Sequence, residues 1–422
     1  MTERLEGTTT MGADFSIDPG LVESCVMALA QHGAYGETGV WRQTYSPEWV
    51  AAQEMVGGWC RDIGMDVRQD AVGSVWGKLT GSEGGKSIVS GSHIDSQCPG
   101  GRYDGALGVI AAYVAMRTLS ERYGPPKRTL ELVSLCEEES SRYPASNYWG
   151  SRGITGLIAP EDLELVTGLD GAPIADGMRE VGLDPGKVRE AIRDDLDCFI
   201  ELHIEQGPLL EQADLPVGIV TGTTGPRGYA VTVTGRSDHA GARPMDTRRD
   251  PMAGAAEMIS GVIDTALRMG RPAVTTVGSI SADSNLSPAV PETVSFSLDA
   301  RHPDPVQRAL LYERHEGLMQ EVARRRDLDL AWDVVWDHDP QPCDPELVTL
   351  LQDAASTQGI PHMLIPSGAG HDAQQMAQVA RTAMIFVRSK DGRSHTPAEF
   401  TSAEDAAAGI EVLTAALHRL AY

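Results

Sequence analysis

The chain has 422 residues, 41 % of them hydrophobic, and a net charge of −25 at pH 7. Such a length suits two domains with cores of their own, and the apolar content excludes global disorder. The acidic balance excludes a nucleic-acid binder, which needs a basic footprint, and argues against binding to an anionic membrane surface. The acids are spread along the chain as a solvated surface would have them. Six cysteines, Cys25, Cys60, Cys98, Cys136, Cys198 and Cys343, form no CxxC pair. They read as thiols in a reducing compartment. The leader "MTERLEGTTTMGADFSID" lacks the apolar run of a signal peptide, and no segment reaches the ~18 apolar residues of a membrane helix. A cytoplasmic protein is expected.

Two helices are predicted after the leader, over Pro19–His32 and Ser46–Ile63. The second has Ser46 as N-cap, Pro47 at the first helical position and Glu48 in the first turn. "SVWGKL" and "KSIVSGSHID" read as strands around "TGSEGGK". That turn falls one glycine short of a phosphate loop and leads into a strand where a phosphate loop needs a helix, so a nucleotide site is rejected. "ALGVIAAYVAMRTLSERYG" has the length of a helix; "RTLELVSLCEEE" and "CFIELHIEQG" read as strands. Alternating strands and helices predict a mixed, largely parallel α/β sheet flanked by helices. From Val217 the order becomes βαββαβ, the split ferredoxin-like unit, through "GYAVTVTG", "PAVTTVGSIS", "ETVSFSLDARH" and "LDLAWDVVW". The alternation then resumes to the C-terminal helix. One domain, residues 1–215 with 340–422, is therefore interrupted by a second, residues 216–339.

The predicted strand ends carry the chemistry. The first ends in "GSHIDS", where His93 and Asp95 share a face; a glycine-rich turn then brings Asp104 to the start of a helix. Open α/β sheets bind ligands beyond the carboxyl ends of their strands. An imidazole with a carboxylate two residues on suits a metal ligand and its orienting partner. Asp104 can offer one oxygen to each of two cations. The next strand ends in Glu137, Glu138 and Glu139, a run of like charges that metal or protons must neutralise. A third ends in His203, with Glu205 and Gln206 beyond. Near the C-terminus, "SHTPAE" places His395 before Thr396, Pro397 and Glu399, which spell a capping box. Two histidines, a shared aspartate, a glutamate and a further histidine make a nitrogen and oxygen ligand set without sulfur. That set suits Zn²⁺, Mn²⁺ or similar ions about 3.5–4 Å apart. In the glutamate pair, one side chain can bind metal while its neighbour faces the water. The implied chemistry is hydrolysis at a polarised carbonyl.

The motifs "GSHIDS…GGRYDGALGV", "EEESSRY…GSRG", "ELHIEQGP", "SDHAGARPMDTRRD", "GAGHDA" and "SHTPAE" occur in one order from about Gly33 to Leu420. In them the chain resembles the M20 metallopeptidase superfamily, and within it the N-carbamoyl-L-amino-acid hydrolase, allantoate amidohydrolase and β-ureidopropionase group. The resemblance implies two divalent ions per subunit (Zn²⁺ or Mn²⁺, with Co²⁺ and Ni²⁺ as further candidates). His93, Asp104 and His203 would surround one; Asp104, Glu139 and His395 would hold the other. Glu138 would be the general base, Glu137 an outer carboxylate, and Asp95 the orienter of His93. The inserted domain would be a lid that also forms a homodimer. His239 would reach the partner subunit's site and polarise the scissile carbonyl. Gln206, Arg301 and the backbone at Gly370 would hold a small carboxylate-bearing substrate.

One departure stands out. Pro288 occupies the place of an asparagine that the family uses on substrate, with Asn285 close but out of register. Arg388 is an expected anion contact through its guanidinium fork. The leading expectation is cleavage of a linear amide or ureido C–N bond. A dipeptidase or aminoacylase of the same superfamily is the near rival, and a catalytically silent metal-binding protein the distant one.

Overall fold

The computed structural model describes residues 14–422, so most of the polar leader lies outside the described residues. The chain divides into two compact units. The first is built of residues up to Thr221, Cys343–Ile365 and His371–Tyr422; the second of Gly222–Pro342 and Pro366–Gly370.

At the centre of the first unit are four parallel strands, β1 (Ser87–His93), β2 (Leu130–Leu135), β3 (Leu196–Ile204) and β4 (Arg381–Val387), in the order β4-β3-β1-β2. Antiparallel strands flank them: Val217–Thr223 beside β4, and Val75–Leu79 then Asp66–Gln69 beyond β2. Every residue of β1 and β2 is buried. That is the pattern of parallel strands covered on both faces, and it explains why "SIVSGSH" and "LELVSL" do not alternate. The helix α1 (Ala106–Tyr123) covers β1 and β3 and packs on the C-terminal helix α2 (Ala403–Ala421). The helix Pro47–Asp62 starts as its sequence predicts, with the Ser46 hydroxyl accepting from Trp49 N at 3.1 Å. Among the described residues, no helix is long and apolar enough to cross a membrane.

The second unit holds an antiparallel sheet in the order Val274–Thr276, Thr293–His302, Gly225–Thr234, Asp329–Asp337. Two helices, Pro251–Met269 and Pro305–Arg325, pack on it. Both start with an aspartate cap and a proline, Asp250–Pro251 and Asp304–Pro305. Thr293–His302 alternates strictly, with Val294, Phe296 and Leu298 turned to the core beside Val231, Val233, Met258 and Met319, and Ala300 to a smaller cluster with Ala266, Leu311 and Tyr312. The βαββαβ order is present, but the strand expected over "PAVTTVGSIS" is two short ones, Val274–Thr276 and Ile280–Ala282. Between them Ser279 bonds the Ser297 hydroxyl through both its amide and its own hydroxyl, which interrupts the ladder.

Two expectations need correction. The strand Val217–Thr223 pairs with β4, so the first unit runs to Thr221 rather than to residue 215. No helix begins at Thr396 either. Residues 395–398 form a turn, and α2 starts later with Ser402 as its cap, accepting from Asp405 N. The capping-box spelling of Thr396 to Glu399 is overridden by tertiary contacts described below.

Candidate metal centre

Parallel strands end on the same edge of a sheet, and here that edge gathers the acids and imidazoles. His93 is the last residue of β1, and the cross-strand register sets it opposite Leu135 of β2, just before the glutamate run. The β1–β3 register pairs Ser90 with Ile200, which carried three residues on sets His93 beside His203. Their rings are 5.9 Å apart. His203 pairs in turn with Phe386 of β4, whose continuation delivers His395. The loop after β1 returns Asp104 to the same place. Gly105 makes that return close: its φ is +61°, and a Cβ there would lie 2.3 Å from the His93 ring.

Asp104 is the hub. Its Oδ1 lies 3.1 Å from His203 Nε2 and 3.7 Å from His93 Nε2, and its Oδ2 lies 3.5 Å from His395 Nε2. Glu139 Oε2 is 3.4 Å from the same His395 nitrogen. Two trios that could hold a cation therefore share Asp104: His93–Asp104–His203 and Asp104–Glu139–His395, each with donor atoms within 4.8 Å of one another. Glu138 is placed at the first trio, its Oε2 3.6 Å from His93 Nε2.

The tautomers fit a cation. His93 Nδ1 is 3.1 Å from the Asp95 carbonyl and His203 Nδ1 is 2.9 Å from the Ile204 carbonyl. A carbonyl only accepts, so each Nδ1 carries a proton, and Nε2, the nitrogen turned to Asp104, is the one a cation would take in exchange for its own proton. Charge fits as well. Burial, then the neighbouring Glu139 carboxylate, pushes Glu138 well above the usual carboxylate range; burial and Asp104 do the same to Glu139. Burial also raises Asp104, yet the His203 and His93 imidazoles outweigh it and hold that carboxyl well below its ordinary value. The groups within ion-pair distance of Asp104, Glu138 and Glu139 are imidazoles rather than lysine or arginine. So dense a set of buried carboxylates calls for a positive charge from outside the chain.

Several assigned side chains take a different use from the one expected. The Asp95 carboxylate is 3.7 Å from the His93 ring; it is the Asp95 carbonyl that orients the ring, while Asp95 Oδ2 accepts from Glu139 N at 3.0 Å. Gln206 faces the hub rather than open space, its Nε2 donating to Asp104 Oδ2 at 2.8 Å. Arg388 does not offer its fork to a ligand. Nε and Nη2 bind Asp405 at 3.0 and 2.8 Å, and Nη1 binds Asp214 at 2.9 Å. Its expected anion contact is withdrawn.

Sequence reading missed the layer beneath the hub. Glu201, in the middle of β3, is buried and accepts from the Ser92 hydroxyl at 2.7 Å and from Ala373 N at 3.2 Å. Asp372 is buried and accepts from the Ser151 hydroxyl at 2.6 Å. His371 stands edge-on to His203, ring centroids 4.6 Å apart. Glu201, His203 and His371 form a third trio of suitable atoms. It competes for His203, however, and His371 is engaged in a capping box with Gln374 at the start of the short helix Asp372–Met376. The sequence signal for His371 and Asp372 is the pair of polar residues that follows Gly370 in "GAGHDA".

The remaining candidates belong to the second unit. Arg301 binds Asp299 through Nε and Nη2 at 2.7 and 3.1 Å and donates from Nη1 to the Gly368 carbonyl at 3.0 Å. That glycine precedes Gly370 in the short segment Pro366–Gly370, which joins this unit. His239 is exposed, and its Nδ1 accepts from Gly241 N and Ala242 N, both at 3.0 Å, so Nε2 carries the proton and is free to donate. His239 pairs across a short ladder with Ala289, and Ala240 N donates to the Pro288 carbonyl. The departure at Pro288 therefore lies beside the candidate carbonyl-polarising histidine.

Comparison with known proteins identifies the family of the chain. Residues 90–419 match the model of Peptidase family M20/M25/M40. The chain is 38 % identical over 395 residues to the allantoate amidohydrolase of Bacillus subtilis (strain 168), covering 93 % of this chain and 96 % of the relative. It is 37 % identical over 395 residues to the N-carbamoyl-L-amino-acid amidohydrolase of Paenarthrobacter aurescens, covering 93 % and 95 %. Among solved structures, an amidase of the hydantoinase/carbamoylase family from Burkholderia multivorans superposes with a TM-score of 0.89 at 32 % identity, covering 96 % of this chain and 98 % of that one.

Proposed function

The chain belongs to Peptidase family M20/M25/M40 and is a hydrolase of non-peptide C–N bonds, and from that premise we propose that it cleaves a linear ureido or amide bond in a small carboxylate-bearing substrate at a two-cation site. The observation that carries the proposal is the sharing of Asp104 by two trios of donor atoms. His93, Asp104 and His203 would hold one divalent ion and Asp104, Glu139 and His395 the other, with Zn²⁺ or Mn²⁺ favoured by the nitrogen and oxygen donors and Co²⁺ or Ni²⁺ as alternatives. Bound there, such a pair supplies Lewis-acid polarisation of a carbonyl and acidification of water.

The chain's own groups supply the rest. Glu138 takes the proton of the attacking water and returns it to the leaving nitrogen; burial and Glu139 raise its proton affinity toward the range a base and acid need. Gln206 fixes the hub carboxylate. Arg301, engaged by Asp299 and the Gly368 carbonyl, would exchange one of those partners to bind the substrate carboxylate beside the Gly370 backbone, and the His239 Nε2 proton would stabilise the oxyanion, acting in the partner's site of a homodimer formed through the second unit. Six unpaired cysteines among the described residues support a reducing, cytoplasmic setting.

A panel of allantoate, N-carbamoyl, N-formyl and N-acyl amino acids and dipeptides, offered to the chelator-stripped and the Mn²⁺- or Zn²⁺-loaded protein, tests the reading. Hydrolysis of ureido or carbamoyl substrates by the loaded protein alone is expected. Turnover confined to N-acyl amino acids or dipeptides would move the protein to the aminoacylase branch.

A further inference from the structure

Glu399 has no part in the chemistry above, yet it is a buried carboxylate at the hub. Its Oε1 accepts from Tyr103 N and from Asp104 N, both at 2.9 Å, and its Oε2 accepts from the Ser394 hydroxyl at 2.9 Å. That same hydroxyl lies against Asp104 Oδ2. The approach is close: a Cβ on Gly101 would fall 2.2 Å from Glu399 Oε1 and 2.5 Å from Glu399 Cβ. One carboxylate thus ties the backbone of the Asp104 loop to the segment that carries His395.

Asp104 must present its two oxygens in different directions, Oδ1 toward His93 and His203 and Oδ2 toward His395. His93 and His203 have orienters of their own in the Asp95 and Ile204 carbonyls. His395 is half exposed, holds a φ of +57°, and comes from a segment 290 residues away from Asp104 in sequence. Two supports set its position relative to Oδ2: the Glu399–Ser394 clamp, and Gln206, whose Nε2 lies 2.8 Å from Oδ2 and 3.4 Å from both Ser394 Oγ and His395 Nε2. Resting on the two-cation reading, we propose that Glu399 is a positioning residue for the Asp104–Glu139–His395 cation position; the His93–Asp104–His203 position shares the Asp104 backbone that Glu399 holds, but its two imidazoles are fixed by carbonyls of their own.

The test is a calorimetric titration of the chelator-stripped, full-length protein with Mn²⁺, in wild type, Glu399→Ala and Glu399→Gln. Wild type is expected to take up two ions. In Glu399→Ala one ion should bind as in wild type and the other about 10–100-fold more weakly. Glu399→Gln keeps an oxygen for the two amides and gains a donor for Ser394, so both ions should stay within about threefold of wild type. Gly101→Ala, which drives a methyl group into the same carboxylate, should repeat the selective loss. The inference is overturned if Glu399→Ala binds both ions like wild type, or if both ions weaken alike, since the latter marks general damage to the fold. Uptake of fewer than two ions by wild type would instead sink the functional reading on which it rests.

Discussion

The two units solve opposite problems. In the first, β1 and β2 are buried from end to end, and the polar groups are concentrated where the parallel strands stop. In the second, antiparallel strands alternate, and Asp329–Asp337 shows most of its residues to solvent, Val334, Val335 and Trp336 among them. A sheet covered on both faces holds its strand ends rigidly, which suits ligands that must meet within a few tenths of an ångström. A sheet covered on one face leaves apolar side chains and free edges for another surface. The contrast teaches that the clustered cation-binding groups belong to the first unit, while the second offers the exposed surface on which the proposed substrate contacts and pairing would lie.

Glu138→Gln makes the sharpest attempt on that division. It should lower kcat by roughly 10²–10⁴-fold while leaving ion uptake unchanged, because it removes a base and no ligand. Near-normal turnover, read beside metal content from the same preparation, would reassign the base. His239→Ala comes next. A loss on the order of 10²-fold in kcat is expected from removing an oxyanion donor, again with full ion content. Depleted metal in that variant would break the comparison, because a residue of the second unit would then be supporting the first.

The smallest effect concerns stability of the second unit alone. His315 is fully buried, with Nε2 2.9 Å from the Thr275 hydroxyl and Nδ1 without a hydrogen-bond partner, and burial lowers its pKa to about 4. The folded state therefore prefers it neutral. Its contribution is intact above the unfolded value near 6.5 and is lost as pH falls from there to about 4, on the order of 3 kcal/mol in all. Urea midpoints at pH 7 and 5 should show the drop, and His315→Gln should flatten it. An equal slope in the variant would clear His315 of the effect.

Much of this was legible in the residues. His93, His203 and the glutamate run stand at strand ends because apolar runs ended there, and parallel register did the rest. What escaped was long-range. "CFIELHIE" gives no sign that Glu201 is a buried acid, since the Ser92 hydroxyl that satisfies it comes from a different strand. Thr396 to Glu399 satisfied a local rule for starting a helix, but the Glu399 side chain gains more from two backbone amides and a hydroxyl of the metal-site loops than from capping. Arg388 looked available because Asp214 and Asp405, which occupy it, lie 174 and 17 residues away. Local spelling foresees which groups reach the sheet edge and is silent on what they meet there.

The distance along the chain between Asp104 and the His395 segment has a consequence for biosynthesis. At translation rates of roughly 5–20 residues per second, the 290 residues separating Asp104 from Ser394 take about 15–60 s to emerge from the ribosome. On the proposed two-cation reading, the donors of the His93–Asp104–His203 position are all made long before His395, and the Asp104–Glu139–His395 position stays incomplete until the C-terminal segment has been added.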